Sequence, residues 1–466
     1  MSSSNSSNME FNPAGARVDA SAQPIDFATI QKQNLAPLSL FQMAIRLARE
    51  YFFDTGRVAD LERLASLCNS RIYTDKDAVR CANEVFAFLK DNFTRLLDSD
   101  LVAKQQETAT GKFAGIGVSF GFKLDARGDL AKDEAGEILV AGDDEGYPVF
   151  EEIIEGGPAQ KAGIHEGMSL VSVNGESTRH CTYMALLNRL RGPIGEKLTI
   201  QLRDQGIEET VTLYRATVLS SPVEFRMLHD EIGYVRLKDF VHQEAAARLA
   251  LALASMRDAR ALIFDLRGNT GGSLHQACSI ASFFLEAGAI ASVKRRIPGD
   301  PAKPVYVTIN VKVRKDAMVQ EAISDQEPDK IHYNEQPRSN YLADHRPIAV
   351  LIDGSSASAS ELTAACLKEN GVATIIGKRS LGKGIGQSIL PMPNGCQLSV
   401  TDFRYYTPAG NWLGDGGENA IGIEPDIEVD PIKRFFKPLS EDDNQLARAV
   451  AVMMSRLATG SNQRVE

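Results

Sequence analysis

Ala349-Val-Leu-Ile-Asp-Gly-Ser-Ser-Ala-Ser-Ala-Ser-Glu-Leu-Thr-Ala-Ala365 is the most informative stretch of this 466-residue chain. An apolar run ends at Asp353, small residues follow, and a helical pattern begins near Ser358. The order predicts a buried strand that turns sharply into a helix. A helix amino terminus favours developing negative charge, and small neighbours let a substrate carbonyl approach. Such a turn suits a nucleophile. The same residues also fit a plainer role, because Ser358-Ala-Ser-Glu361 matches the S-x-x-E capping box and Ser358 would then only start the helix. Taken alone, the local pattern favours the cap.

A second segment changes the balance. Thr374-Ile-Ile-Gly-Lys-Arg-Ser-Leu-Gly-Lys-Gly-Ile-Gly-Gln387 places Lys383 between two glycines. Gly377-x-x-x-x-Gly382-Lys383 is nearly a phosphate-binding loop, but Gly384 stands where a Mg²⁺-binding hydroxyl is needed. Pro391 and Pro393 also follow within ten residues, so no helix continues it. Ser380-x-x-Lys383 matches the S-x-x-K pattern of penicillin-binding enzymes, yet glycines surround it and no Lys-Thr-Gly appears. Both readings fail on chemistry.

A third reading joins the two segments. The Ser-Ala-Ser-Ala-Ser-Glu turn followed by Leu381-Gly-Lys-Gly384, whose lysine stands 25 positions after Ser358, resembles the C-terminal processing (tail-specific) peptidases. Asp265-Leu-Arg-Gly-Asn-Thr-Gly-Gly272 matches that family's second glycine-rich turn, and Tyr405–Gly410 and Gly422–Asp426 match its closing segment. The likeness runs from about residue 38 to 457. It implies a serine protease with Ser358 as nucleophile, Lys383 as base and Gln387 as the third member. Ala359 with Gly271 or Gly272 is implied for the oxyanion hole. A lysine serves as base only when neutral, so its pKa must fall from ~10.4 toward ~7–8, which burial without a carboxylate partner achieves. None of the seven histidines sits in a motif that nominates it. No metal or organic cofactor is needed for this chemistry.

From Gly111 the pattern is of short strands punctuated by glycine, with Glu155-Gly-Gly-Pro-Ala-Gln-Lys-Ala-Gly-Ile164, an Asn174-Gly175 turn and an alternating Leu198, Ile200, Leu202 strand. This segment resembles a PDZ domain. Gly115-Ile-Gly-Val118 stands where that family binds a terminal carboxylate: converging backbone N–H groups suit an anion, and a free strand edge suits an added peptide strand. A plain β-turn would use the same glycines. The resemblance implies protein or peptide substrates with exposed, apolar C-termini, and leaves room for an adaptor or regulator protein. Arg191 is a candidate for coupling tail binding to catalysis; a solvated helix-end cation is the plainer role.

The expected fold is therefore multidomain α/β. It comprises a tail at 1–24, a helical N-terminal domain at 25–107 and a β-rich PDZ domain at 108–218. An α/β protease core at 219–437, which the resemblance makes crotonase/ClpP-like, and a C-terminal helix and tail at 438–466 complete it. In the helical part Phe41, Ile45, Ala48 and Phe52 repeat at helical spacing, as do Ala82, Phe86, Leu89 and Phe93. In the core, strands at 232–237, 261–265, 348–352, 374–376 and 398–401 alternate with helices. The charged, proline-bearing stretch near 298–345 shows no clean period and reads as a flap or disordered insert. Gly414–Ala420 also looks added. Leu446, Val450, Met453 and Leu457 share a face of the last helix, for the core or for a homo-oligomer contact.

Composition narrows the alternatives. A net charge of −10, with 51 basic against 61 acidic side chains and no basic block, argues against nucleic acid or an anionic membrane as the main partner. Six scattered cysteines with no Cys-x-x-Cys pair argue against a zinc ribbon or a disulfide scaffold. The polar opening lacks a secretory signal, so the sequence as written reads as cytoplasmic; the resemblance implies a periplasmic or extracytoplasmic site where a leader precedes it. The competing function is a PDZ scaffold protein with a dead protease fold.

Overall fold

The computed structural model describes residues 27–123, 125, 131–228, 231–338, 341–432 and 438–462. The expected tail at 1–24 lies outside them. The chain divides into two compact units: residues 1–106, 223–430 and 445–466, and residues 107–222 with 431–444.

The first unit is built on a six-stranded sheet in the order Val223–Leu228, Ile232–Leu237, Ala261–Asp265, Ile348–Ile352, Ala373–Gly377, Ile427–Glu428. All neighbours except the first pair are parallel. Helices Ala245–Ser255 and Ala359–Glu369 make the crossovers that parallel pairing requires, and Leu274–Phe284 begins the third. Ala261–Asp265 and Ile348–Ile352 are buried along their whole length, which explains why they read as continuous apolar runs rather than as alternation.

A second, antiparallel sheet runs Arg95–Leu97, Gln397–Tyr406, Gly288–Ile297, Val305–Arg314, Ala317–Ser324, Glu327–Pro337, with Ile385–Pro391 also on Gln397–Tyr406. Two expectations are corrected here. The segment near 298–345 is no disordered insert: it supplies ordered strands, of which Val305–Arg314 alternates burial cleanly and Glu327–Pro337 is an exposed edge. The strand expected at 398–401 is longer and belongs to this sheet, not to the parallel one.

The helical segment does not stand apart as a domain either. Helix Pro37–Tyr51 starts on proline, and helix Asp75–Phe86 carries a Thr74–Asp77 capping box. Their apolar faces, including Phe41, Ile45, Ala48, Ala82 and Phe86, pack with Leu390, Leu398 and Val400 of the antiparallel sheet and with Met392 just past its strand in one core cluster. Phe93 departs from the expected repeat, since the helical run ends at Leu89. In the last helix Leu446, Ala449 and Met453 are buried.

The second unit has its own core, centred on Ile116, Phe150, Leu170, Leu186, Leu198 and Ile200. Strands Ser169–Val173, Lys197–Asp204 and Ile207–Tyr214 with Glu176–Ser177 form its main sheet. Asn174 and Gly175 both have positive φ, as a tight hairpin turn requires. Strand Lys112–Gly115 pairs with Ala216–Leu219, so the 107–222 part of this unit begins and ends on neighbouring strands.

Candidate active site

The parallel strands end on Asp265, Ile352 and Gly377, and the loops that follow them converge, as ligand sites in open α/β sheets do. Ser358 has φ 55° and ψ −114°, a backbone conformation that a residue with a side chain rarely adopts. The surroundings hold it there. Its N–H donates to Glu361 Oε2 at 2.8 Å, Ala357 N–H donates to the Asn269 carbonyl at 3.1 Å, and Leu362 N–H returns to Ser358 O at 2.9 Å. A Cβ on Gly271 would lie 2.6 Å from Ala357 O and 2.8 Å from Ser358 Cβ, so only glycine fits against this turn.

The neighbouring serines are structural. Ser356 Oγ donates to the Leu266 carbonyl at 2.8 Å and Ser360 Oγ to the Asn269 carbonyl at 2.8 Å, both fully buried. Ser358 is left as the half-buried hydroxyl on a strained strand-to-helix turn, the setting in which nucleophilic serines are presented. Glu361 reaches back to the Ser358 N–H as in a capping box. The backbone half of that cap, Ser358 N–H on Glu361 Oε2, leaves the question of a nucleophile untouched.

Lys383 lies half-buried with its Nζ 3.9 Å above the Phe93 ring and donating to Gln387 Oε1 at 3.2 Å. Loss of hydration pulls its pKa from 10.5 down to about 8; Arg95 adds to that, while Asp91 and Glu361 oppose it. Gly382 admits the loop that covers it: a Cβ there would sit 2.5 Å from Ile421 N. Gly414 and Gly416 pair with Gly384 and Gly382, so the added-looking 414–420 segment lies across the lysine.

Ser358 Oγ and Lys383 Nζ share no direct hydrogen bond in this structure. They are tied through two residues the motif reading passed over. Glu361, fully buried, accepts from Ser358 N (2.8 Å) and Lys383 N (2.8 Å) on one oxygen and from Ser380 Oγ (2.6 Å) and Gly382 N (2.6 Å) on the other. Burial pushes its carboxyl above the ordinary range against these four donors. Tyr405 donates to the Lys383 carbonyl and contacts the Ser358 side chain, its phenol pushed far up by burial. The capping-box match had already marked Glu361, though only as a helix start.

The two glycines expected near the oxyanion differ. Gly271 N–H is committed to Asn269 Oδ1 at 2.9 Å, whereas Gly272 sits one residue on, beside Phe240. Ala359 opens its helix, where N–H groups have no intrahelical acceptor. Asn269 was also missed; its carbonyl and side chain together hold both turns. Among the described residues one trio of metal-ligand side chains converges, Cys68, Cys81 and Glu84, and Glu84 is already held by Arg71 and Arg80.

In the second unit, Gly115 closes a strand, Ile116 is buried in the core, and Gly117 takes φ 81° before Val118 begins the next strand. Strand Val118–Phe120 pairs on one side only among the described residues, with Phe150–Ile153. Arg191 lies 3.8 Å from Glu107 and over the Phe113 ring, both in its own unit.

Comparison with known proteins agrees with this division. The profile of Peptidase family S41 matches residues 231–429 and that of the PDZ domain residues 117–203. The chain is 28% identical over 374 residues to carboxyl-terminal-processing peptidase 2, chloroplastic, of Arabidopsis thaliana, covering 78% of this chain and 62% of that protein. It is also 28% identical over 355 residues to the carboxy-terminal-processing protease of Bartonella bacilliformis, covering 74% and 68%. Among solved structures, a photosystem II D1 C-terminal processing protease aligns over 86% of this chain and 94% of that one, at 22% identity and a TM-score of 0.44.

Fold, site and matches together define a serine-type peptidase core joined to a PDZ domain. Over about three quarters of its length the chain is similar to C-terminal processing peptidases.

Proposed function

We propose that this chain is a serine endopeptidase that captures apolar C-terminal tails of proteins through the 115–118 loop and cleaves them with Ser358 and Lys383. The observation that carries the reading is the lysine. Its amine is poorly hydrated above Phe93, makes no ion pair among the described residues, and is neutral at mildly alkaline pH. Neutral Lys383 takes the proton from Ser358 Oγ as that oxygen attacks the peptide carbonyl. The N–H groups of Ala359 and Gly272 hold the oxyanion, each such donor supplying ~2.7–4 kcal/mol. Lys383 then gives the proton to the departing amine, and water, activated by the same lysine, releases the acyl group. Gln387 holds the amine throughout.

Support for tail capture is the one-sided Val118–Phe120 strand beside a loop of two glycines, which offers backbone pairing and an anion site together. The test is cleavage of an unfolded protein with an apolar C-terminus at pH 8–9. Wild type cleaves and Ser358→Ala does not; a free terminal carboxylate is preferred over its amide. Hydrolysis that survives Ser358→Ala sinks the serine assignment, and indifference to amidation sinks the tail reading.

A further inference from the structure

Behind Lys383 runs a chain of hydrogen bonds that leaves the peptidase-matched region altogether. Lys383 Nζ donates to Gln387 Oε1 (3.2 Å), Gln387 Nε2 donates to Thr401 Oγ1 (3.0 Å), and Thr401 Oγ1 donates to Asp91 Oδ2 (2.8 Å). Asp91 belongs to the turn after the helical segment, where its carboxylate also accepts from Thr94 N at 3.0 Å and from Thr94 Oγ1. The same turn brings Phe93 under the lysine amine. Thr94 and Thr401 are buried, and Thr401 N donates to Thr94 Oγ1 at 3.1 Å, which locks the turn to the strand.

The polarity of this chain is forced from its far end. A carboxylate only accepts, so the single hydroxyl hydrogen of Thr401 goes to Asp91. The Thr401 oxygen must then accept, and it accepts from the Gln387 amide nitrogen. That leaves the Gln387 amide oxygen facing Lys383. The consequence falls on the lone pair of the neutral amine. An amide oxygen takes one of its N–H groups and leaves the lone pair free for the serine proton; a flipped amide would present N–H to that lone pair and block the base.

We infer that Asp91 and Thr401 are positioning residues for Lys383, so the segment 91–94 is part of the reaction centre. The inference rests on the Ser358–Lys383 reading above. The charged groups acting on the amine are Asp91, Arg95 and Glu361, with Asp91 and Glu361 favouring its protonated form. Removing the Asp91 charge therefore leaves the lysine neutral at lower pH.

The experiment is the pH profile of kcat/KM, with kcat and KM resolved at the plateau, for wild type, Thr401→Val, Thr401→Ser and Asp91→Asn. Thr401→Val lowers plateau kcat by on the order of tenfold with KM unchanged, and Thr401→Ser, which keeps the hydroxyl, restores it. Asp91→Asn moves the acid limb to lower pH and lowers the plateau. A Thr401→Val enzyme with wild-type kcat, or an Asp91→Asn limb that stays in place, overturns the proposal. Ser358→Ala run alongside keeps the two readings apart. If it still hydrolyses, the serine–lysine reading fails; if it is dead while Thr401→Val and Asp91→Asn match wild type, only the positioning chain fails.

Discussion

At pH 7 a lysine with a pKa near 8 is still mostly protonated, so Lys383 spends neutral conditions as a poorly hydrated cation above a phenyl ring. That cation destabilises the fold. With the folded value near 8 and the ordinary one at 10.5, the penalty is full below pH 8 and is gone once pH passes 10.5. Lys383→Met is therefore expected to abolish hydrolysis yet stabilise the protein by on the order of 2–3 kcal/mol at pH 7. The gain fades between pH 8 and 10.5, as thermal melts across that range will report. In the active enzyme, kcat/KM should climb through pH 8 and level above it. Glu361 is the opposite kind of residue. Its four accepted bonds need both carboxylate oxygens, and a glutamine would point an amino group at two of the donors. Glu361→Gln should lose roughly 2–4 kcal/mol in urea unfolding and at least a hundredfold in kcat.

The strand-to-helix turn can be dissected one serine at a time. Ser356→Ala and Ser360→Ala each remove a buried hydroxyl bond to a carbonyl, so each should cost about 1–2 kcal/mol of stability while leaving measurable hydrolysis. Ser358→Ala should do the reverse, with no hydrolysis and near-normal stability. If Ser356→Ala or Ser360→Ala behaves like Ser358→Ala instead, the nucleophile has been misassigned. The turn also shows what sequence could and could not reveal. Strand, small-residue turn and helix were legible, because their patterns are local and their burial is complete. The strained backbone of Ser358 was not, since it depends on Gly271 and Asn269, which lie far off in sequence and press against the turn. Phe93 fails for a related reason. Its spacing fits a helix face, but the helix stops short and the ring finds Lys383. The 298–345 region misled through composition: charged side chains on exposed strand faces hide an ordered sheet.

On the scale of the whole molecule, the unit carrying residues 107–222 reads as an insertion. Lys112 and Leu219 face each other across paired strands, so the ends of the 107–222 segment lie side by side. Replacing residues between these positions with a short flexible linker should leave the first unit folded. Short-peptide hydrolysis should persist in that variant while any preference for a free C-terminus is lost; an unchanged preference would place tail recognition elsewhere. The helical segment offers no such cut, because its core is shared with the antiparallel sheet and its last turn supplies Phe93 and Asp91. Asp91 and Thr401 stand 310 positions apart. On a ribosome, Ser358 emerges well before Thr401, and the base has no oriented partner until the later strand arrives. On the proposed mechanism, a nascent chain is expected to stay chemically silent toward its own unfolded remainder and toward neighbouring polypeptides until the segments carrying Asp91 and Thr401 have closed upon each other.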